Sequence, residues 1–227
     1  MGSTVRELLG TLPLEVDEER RREWAVACAF ALGLGGIAVT VRQELVWFSD
    51  ETSERLEDLQ FILGEGPGLS SQDPAEVREI PDLSRLLSER WPQFTREAEV
   101  LGIGALFVWP VHIGVVPVGT LTGYRRSPGP LTPRQRAEGW LVADALAEHV
   151  LARWPANSAD ADGPGHAGTV DLHRAEVHQA TGVLSGRLGV SLPEALDRLR
   201  ARAYASGRSL TDTAHDVLRR ELPEDYQ

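Results

Sequence analysis

Five arginines and one tyrosine lie close together near the end of the chain: Arg187, Arg198, Arg200, Arg202, Arg208 and Tyr204. A guanidinium forks onto phosphate oxygens, and a tyrosine ring stacks on an unpaired base. A few arginines with one aromatic form the minimal kit for reading a folded RNA loop. On an ideal helical wheel Arg200 and Tyr204 run along one edge of an apolar stripe, and Arg198 and Arg202 run along the other. Arg208 falls in the following turn, and Arg187 ends the preceding helix. A second account of the same residues stays open at this point. They also fit solvated helix arginines paired with Glu194, Asp197 and Asp212.

Three helices must position these side chains. The first is expected over Asp171–Leu188, with Gly189 as its C-terminal stop. Ser191-Leu192-Pro193-Glu194 reads as a capping box that opens the second. Gly207 stops that helix, and Ser209-Leu210-Thr211-Asp212 is a weaker start signal for the third, which ends before Pro223. Leu192, Leu196, Leu199 and Ala203 share one face of the second helix, and Leu210, Ala214, Val217 and Leu218 share one face of the third.

Ahead of this tail, residues 155–169 contain no Leu, Ile, Val, Phe, Trp or Tyr. Such a segment cannot bury a face and reads as a flexible linker. The chain of 227 residues therefore divides into a front domain over 1–154, the linker over 155–169 and a tail domain over 170–227. The net charge of −11 is uneven. The front carries 15 arginines against 23 carboxylates, whereas the tail carries 8 against 9. An acidic front is a poor nucleic-acid surface. A near-neutral tail still has room for a local arginine face. There is no lysine, and the single cysteine, Cys28, excludes an internal disulfide framework and a multi-cysteine zinc site. Cys28 falls on an apolar helical stretch, the setting of a buried, inert thiol.

The front alternates helical and extended stretches. Trp24–Val41 has no charged residue and just reaches the length of a membrane span. Gly33, Gly35 and Gly36 interrupt it, and its flanks are charged. The expectation is a buried helix to about Leu32, a glycine turn and a strand from about Ile37, with no membrane segment. Residues 1–23 lack the apolar stretch of a secretory leader, so a cytoplasmic protein is expected. Ile37–Val41 and Leu45–Phe48 read as a hairpin. A helix over about Glu51–Leu63 follows, then a Gly64–Gly68 turn, a short strand over Arg78–Ile80 and a helix over Pro92–Leu101. Strands over Ala105–Ile113 and Val118–Tyr124 come next. A long helix runs from Thr132-Pro133 to about Arg153, with Pro133 in the first turn. The fold class is α+β: an antiparallel sheet covered by helices, then an all-α three-helix domain.

The tail resembles an ANTAR domain, the three-helix RNA-binding module of bacterial transcription antitermination regulators. The resemblance covers His173–Asp216. It is carried by Gln179-Ala180-Thr181-Gly182-Val183-Leu184, Gly189-Val190-Ser191, Glu194-Ala195, Leu199-Arg200, Ala203, Leu210 and Ala214. It implies an RNA-binding set of Gln179, Thr181, Arg187, Arg198, Arg200, Arg202, Tyr204 and Arg208. Thr181 stands where the family usually has lysine, and Ser185 where it often has methionine. The lost lysine removes a phosphate contact without touching the fold. The recurrent alanines, Ala180, Ala195, Ala203 and Ala214, are expected to let the helices approach closely.

The front is similar to a GAF domain from about Trp24 to Arg153. The motifs are Gly64-Glu65-Gly66-Pro67, Pro81-Asp82-Leu83, Trp91 with Phe94, and the strand pair Val108–Val111 and Val118–Tyr124. That resemblance implies a sensor of small molecules, with Trp47, Phe61, Trp91, Phe94, Phe107 and Trp109 as candidate pocket residues and plain core as their other reading. No cofactor is indicated, and the ligand is not named by any residue.

Other signals lead nowhere. Gly33-Leu34-Gly35-Gly36-Ile37-Ala38 matches a dinucleotide fingerprint, but it follows a helix and opens a strand, the reverse of what that site needs. Gly64–Gly68 lacks the lysine and hydroxyl of a phosphate loop. His173 and His178 are five apart and have no third ligand nearby. No catalytic arrangement is suggested. The expectation is a non-enzymatic, homodimeric regulator in which the front senses a signal and the tail binds a stem–loop RNA. The long helix offers Leu141, Val142, Ala145, Leu146 and Val150 for a dimer seam or for its own sheet. A DNA-binding factor and a sensor whose tail is only a docking module remain as rivals.

Overall fold

The computed structural model describes residues 4–13, 17–42, 44–69, 76–86, 90–153, 174–206 and 208–219. These fall into two compact units, a front unit over the described residues to 153 and a tail unit from 174 onward. The expected linker and the boundaries drawn at 154 and 170 lie outside the described residues, as do Gly207 and the expected helix start at Asp171.

The front unit is built on one five-stranded antiparallel sheet in the order β2-β1-β5-β4-β3. Its strands are β1 (Gly36–Val41), β2 (Glu44–Phe48), β3 (Arg78–Ile80), β4 (Ala105–Ile113) and β5 (Val116–Arg125). The β1–β2 hairpin and the two long strands appear where they were expected. The fifth strand starts two residues earlier, at Val116, because the tight turn at Gly114 (φ 62°) needs only Val115 beside it. The glycine fingerprint at Gly33 follows a helix and opens β1, as the sequence requires.

Side chains alternate across the strands, so each face of the sheet needs its own cover. One face packs Phe107, Trp109, Val111 and Leu121 beneath α1 (Val5–Leu9), α2 (Glu18–Ala31) and α5 (Pro133–Arg153). The other packs Leu106, Ile80 and Tyr124 beneath α3 (Glu51–Leu63), a single 3₁₀ turn (Leu83–Arg85) and α4 (Pro92–Val100). Helix α1 is absent from the sequence reading, since five residues are too few to show a period. A Thr4–Glu7 capping box starts it, and its Leu8 carbonyl accepts the Trp24 indole N–H at 2.9 Å.

Polar side chains set the helix starts. Asp17 caps α2, accepting from the N–H groups of Glu19 and Arg20. Thr132 and Gln135 cap α5 reciprocally, at 3.2 and 3.0 Å, and Gln135 Nε2 also donates to the Leu32 carbonyl at the end of α2. Asp50 caps α3 through Ser53 N–H at 2.8 Å and accepts the Tyr124 hydroxyl at 3.2 Å, so one carboxylate joins β5 to the opposite helix layer.

The seat of α5 is steric. An added Cβ on Gly139 would lie 2.2 Å from the Trp109 ring, and Trp109 Nε1 donates to the Arg136 carbonyl at 3.2 Å. Val142 and Leu146 are buried against the sheet, whereas Leu141 is exposed and Ala145 and Val150 are half-buried. The candidate seam of α5 is thus divided: its two best apolar positions serve their own sheet.

Among the described residues no helix is long and apolar enough to cross a membrane.

Gly139→Ala is expected to destabilise the front unit by about 1–3 kcal/mol through overpacking against Trp109. Thermal unfolding followed by tryptophan emission checks this. An unchanged midpoint would show that the indole has room to give way.

Candidate nucleic-acid interface

Three helices make the tail unit: α6 (Ala175–Leu188), α7 (Leu192–Ser206) and α8 (Leu210–Leu218). Gly189 stops α6 in the left-handed conformation (φ 66°), which glycine adopts without a Cβ penalty. At the start of α7 only half of the expected capping box forms. Ser191 Oγ accepts from Glu194 N–H at 3.4 Å, but the Glu194 carboxylate turns to Arg198 instead. Ser209 caps α8 at Asp212 N–H, 3.0 Å. The core is Val177, Ala180, Leu184, Ala195, Leu199, Ala203, Leu210, Ala214 and Val217, all buried. Each of the four recurrent alanines lies at a helix contact, where a larger side chain would hold the helices apart. Leu192, expected on the apolar face of α7, is exposed at the helix start, and Leu196 is only half-buried.

The stripe Ala195–Leu199–Ala203 divides the surface of α7 into two edges. Arg198 and Arg202 follow one edge, and Arg200 and Tyr204 follow the other. Tyr204 is 71% exposed, with no packing role to explain its ring. Arg198 Nη2 lies 2.7 Å from Glu194 Oε1, and Arg200 Nη1 lies 3.0 Å from Asp197 Oδ1. Arg200 is largely enclosed, its side chain only 16% exposed. Burial pulls its guanidinium below the usual range, Asp197 opposes that, and Arg174 adds to it. Arg208 leaves the connection to α8 and pairs with Asp216 rather than Asp212. Gln179 and Arg187 are exposed on α6.

Thr181 is the correction to the expected set. It is 5% exposed and donates its hydroxyl to the Val177 carbonyl at 2.7 Å, so it faces the core and offers nothing to a phosphate. A threonine inside a helix readily bonds back to the carbonyl four residues earlier, and sequence spacing alone does not reveal that choice.

The six candidate pocket aromatics of the front unit do not converge. Trp47, Phe107 and Trp109 belong to the core under α2 and α5. Phe94, with half-buried Trp91 packed on it, belongs to the core on the opposite face. Phe61 is buried on α3. Trp47 is wedged between Trp24, at 6.1 Å, and His149, edge-on at 5.1 Å. A cleft of about 460 Å³ lies elsewhere, lined by Leu8, Leu12, Trp24, Arg20 and Glu23 among others. The Gly64–Gly68 segment has a structural task that its spacing did not announce. Glu65 Oε2 accepts from the N–H groups of Gln93 and Phe94, both at 3.1 Å, and so caps α4, whose N-cap residue, Trp91, makes no side-chain cap bond. Gly68 N–H is held by Gln60 Oε1 at 2.7 Å. Among the described residues no cluster of His, Cys, Asp and Glu has the makings of a metal site.

The tail sequence matches the family model of the ANTAR domain over residues 172–218. Residues 172–218 are an ANTAR domain. The three helices, the alanine contacts and the Gly189 stop described above are this domain's frame. Solved structures similar to the chain include a domain of a two-component sensor histidine kinase protein from Sinorhizobium meliloti 1021. It is 16% identical, covers 59% of this chain and 90% of that one, and has a TM-score of 0.49. The GAF domain of a phosphoenolpyruvate-protein phosphotransferase from Acinetobacter is 13% identical over 70% of this chain and 93% of that one, with a TM-score of 0.48. The corresponding GAF domain from Coxiella burnetii is 15% identical over 66% and 94%, with a TM-score of 0.47. No curated protein matches the chain in sequence.

Cys28 is fully enclosed, and burial pushes its thiol up to about 12. The thiolate is the reactive form. A thiol reagent at pH 8 is therefore expected to label Cys28 only as fast as the front unit opens. Prompt labelling of the native protein would place the sulfur in an accessible site after all.

Proposed function

We propose that this chain is a signal-responsive transcription antitermination regulator. Its ANTAR domain binds a paired stem–loop in a leader transcript and stabilises it at the expense of a terminator. The observation that carries the reading is the ANTAR match over residues 172–218, on a unit that leaves the Tyr204 ring exposed between arginine-bearing turns. Arg198, Arg202 and Arg208 supply phosphate contacts, and Tyr204 supplies a stacking platform for a loop base. Gln179 and Arg187 extend the surface along α6. Arg200, enclosed beside Asp197, holds the edge that presents Tyr204.

The front unit is the sensor in this reading, consistent with the GAF resemblance of its motifs. Its effector is a small molecule or a partner protein. The regulator works as a homodimer in the cytoplasm. Helices α2 and α5 share the core on one sheet face, with the end of α2 bonded to the start of α5 through Gln135 and Leu32. They leave Val26, Phe30 (73% exposed) and Leu141 exposed, apolar side chains that a second copy would cover in this reading. A signal that favours one arrangement of two copies shifts RNA binding by its difference in affinity for the two states.

Two observations favour the rival in which the tail only docks. The family lysine is replaced by a buried threonine, and three arginines already hold carboxylates.

A salt titration of the full chain against a paired stem–loop RNA, with duplex DNA as competitor, separates the readings. Saturable binding that resists DNA is expected, and log K should fall with log salt at a slope of roughly −0.7 to −0.9 per phosphate contacted. Tyr204→Ala should weaken it about tenfold at unchanged helical content, because a stacked base is worth about 1–3 kcal/mol. Absence of RNA binding, in the free protein and with cell extract added, would leave the docking module. Equal binding to DNA would favour a DNA-binding factor.

A further inference from the structure

Three arginines of the ANTAR domain are held by carboxylates of the same domain, and the three pairs are not alike. Arg198–Glu194 and Arg200–Asp197 join neighbours along a single helix. Arg208 lies in the connection between α7 and α8 and reaches eight residues forward to Asp216. Its Nη1 donates to one carboxylate oxygen, and its Nη2 donates to the other at 3.4 Å. A guanidinium fork on two oxygens is the geometry that arginine also uses on phosphate. Both partners are at the surface, the arginine side chain 47% exposed and the aspartate 30%.

The position of Asp216 is otherwise unfavourable. It lies in the last turn of α8, where the helix dipole disfavours an anion. Its pairing with Arg208 offsets that. Arg208 lies four residues beyond Tyr204 in the chain, just past the end of α7, and is one of the cations assigned above to the RNA-binding surface.

We propose that Asp216 is an intramolecular stand-in for phosphate, which holds the Arg208 guanidinium on the binding edge and competes with nucleic acid for it. The inference rests on the RNA-binding reading above. An exposed ion pair is weak enough for a phosphate to displace. Displacement leaves the aspartate charge facing the incoming backbone, so each phosphate at this point is penalised. A ligand that also stacks a base on Tyr204 offsets the penalty, and one that offers phosphates alone does not. Asp216 therefore lowers affinity for either nucleic acid, and the stacked base then decides which of them still binds measurably.

The experiment is a double-mutant cycle on the full chain: wild type, Asp216→Asn, Arg208→Ala and the double variant. Each is titrated with the stem–loop RNA and with duplex DNA at one salt concentration, with helical content checked by circular dichroism. Removing an anion from the end of α8 should not harm the helix. Asp216→Asn is expected to tighten RNA binding about fivefold, the size of one exposed ion pair. It should tighten DNA binding by a similar factor, since the penalty falls on phosphate in both. In the Arg208→Ala background the same substitution should change affinity less than about twofold, since only screened long-range charge remains. Unchanged or weaker binding by Asp216→Asn would overturn the competition and leave the aspartate as a support for Arg208. An equal gain without Arg208 would overturn the pairing as its cause. RNA binding by none of the four proteins would remove the RNA reading itself, whereas wild-type binding with a flat Asp216→Asn result removes only the competition.

Discussion

Close approach of backbone to side chain is the constraint on which both units depend. In the front unit the Trp109 ring occupies the space that any side chain on residue 139 would fill. Helix α5 can therefore lie low enough on the sheet for Val142 and Leu146 to be buried and for Arg136 to accept the indole N–H. In the tail unit Ala180, Ala195, Ala203 and Ala214 are buried among three helices, where small side chains leave the helices room to come close. A domain of about fifty residues has little core to spend, and short interhelical distances are how it obtains close packing from few side chains.

The polar side chains divide between frame and function. Asp50, Glu65, Gln135 and Ser209 satisfy N–H groups at helix starts, and three of them also tie together elements far apart in sequence. Such groups are costly when left unmet, so they fix geometry rather than add much stability. On the ANTAR surface the balance is different. Across residues 174–219 seven arginines face five carboxylates, so the surface is only mildly basic. Electrostatic attraction alone gives such a surface limited hold on a nucleic acid. In the proposed function, recognition then leans on the exposed Tyr204 ring and on where each guanidinium is held. A surface of that kind suits a switch, because a modest difference in affinity between two states is enough to change occupancy.

Much of this was legible in the residues. Helix α3 and strands β3 and β4 match the expected bounds, because period, capping aspartate or threonine, glycine and proline all point the same way at those places. The tail was legible for the same reason, with Gly189 and Ser209 marking the helix ends and the alanines marking the contacts. Helix α1 was not, being held by a single capping box and a tryptophan bond rather than by a repeating pattern. The capping of α4 by Glu65, across 28 residues of sequence, could not be read from local spacing.

The sequence by itself determined the two-part organisation, the element types, the three-helix frame of the tail and which arginines and tyrosine that frame carries. These depend on local period and on side-chain chemistry, both carried by short stretches of chain. Only the tertiary structure decided what each candidate does. It turned Thr181 inward, enclosed Arg200, joined Arg208 to Asp216, left Tyr204 in the open and put five of the six front aromatics into two separate cores. The physical reason is that exposure and pairing are properties of the space between elements. A residue's type limits its partners, but the packing of distant segments selects among them.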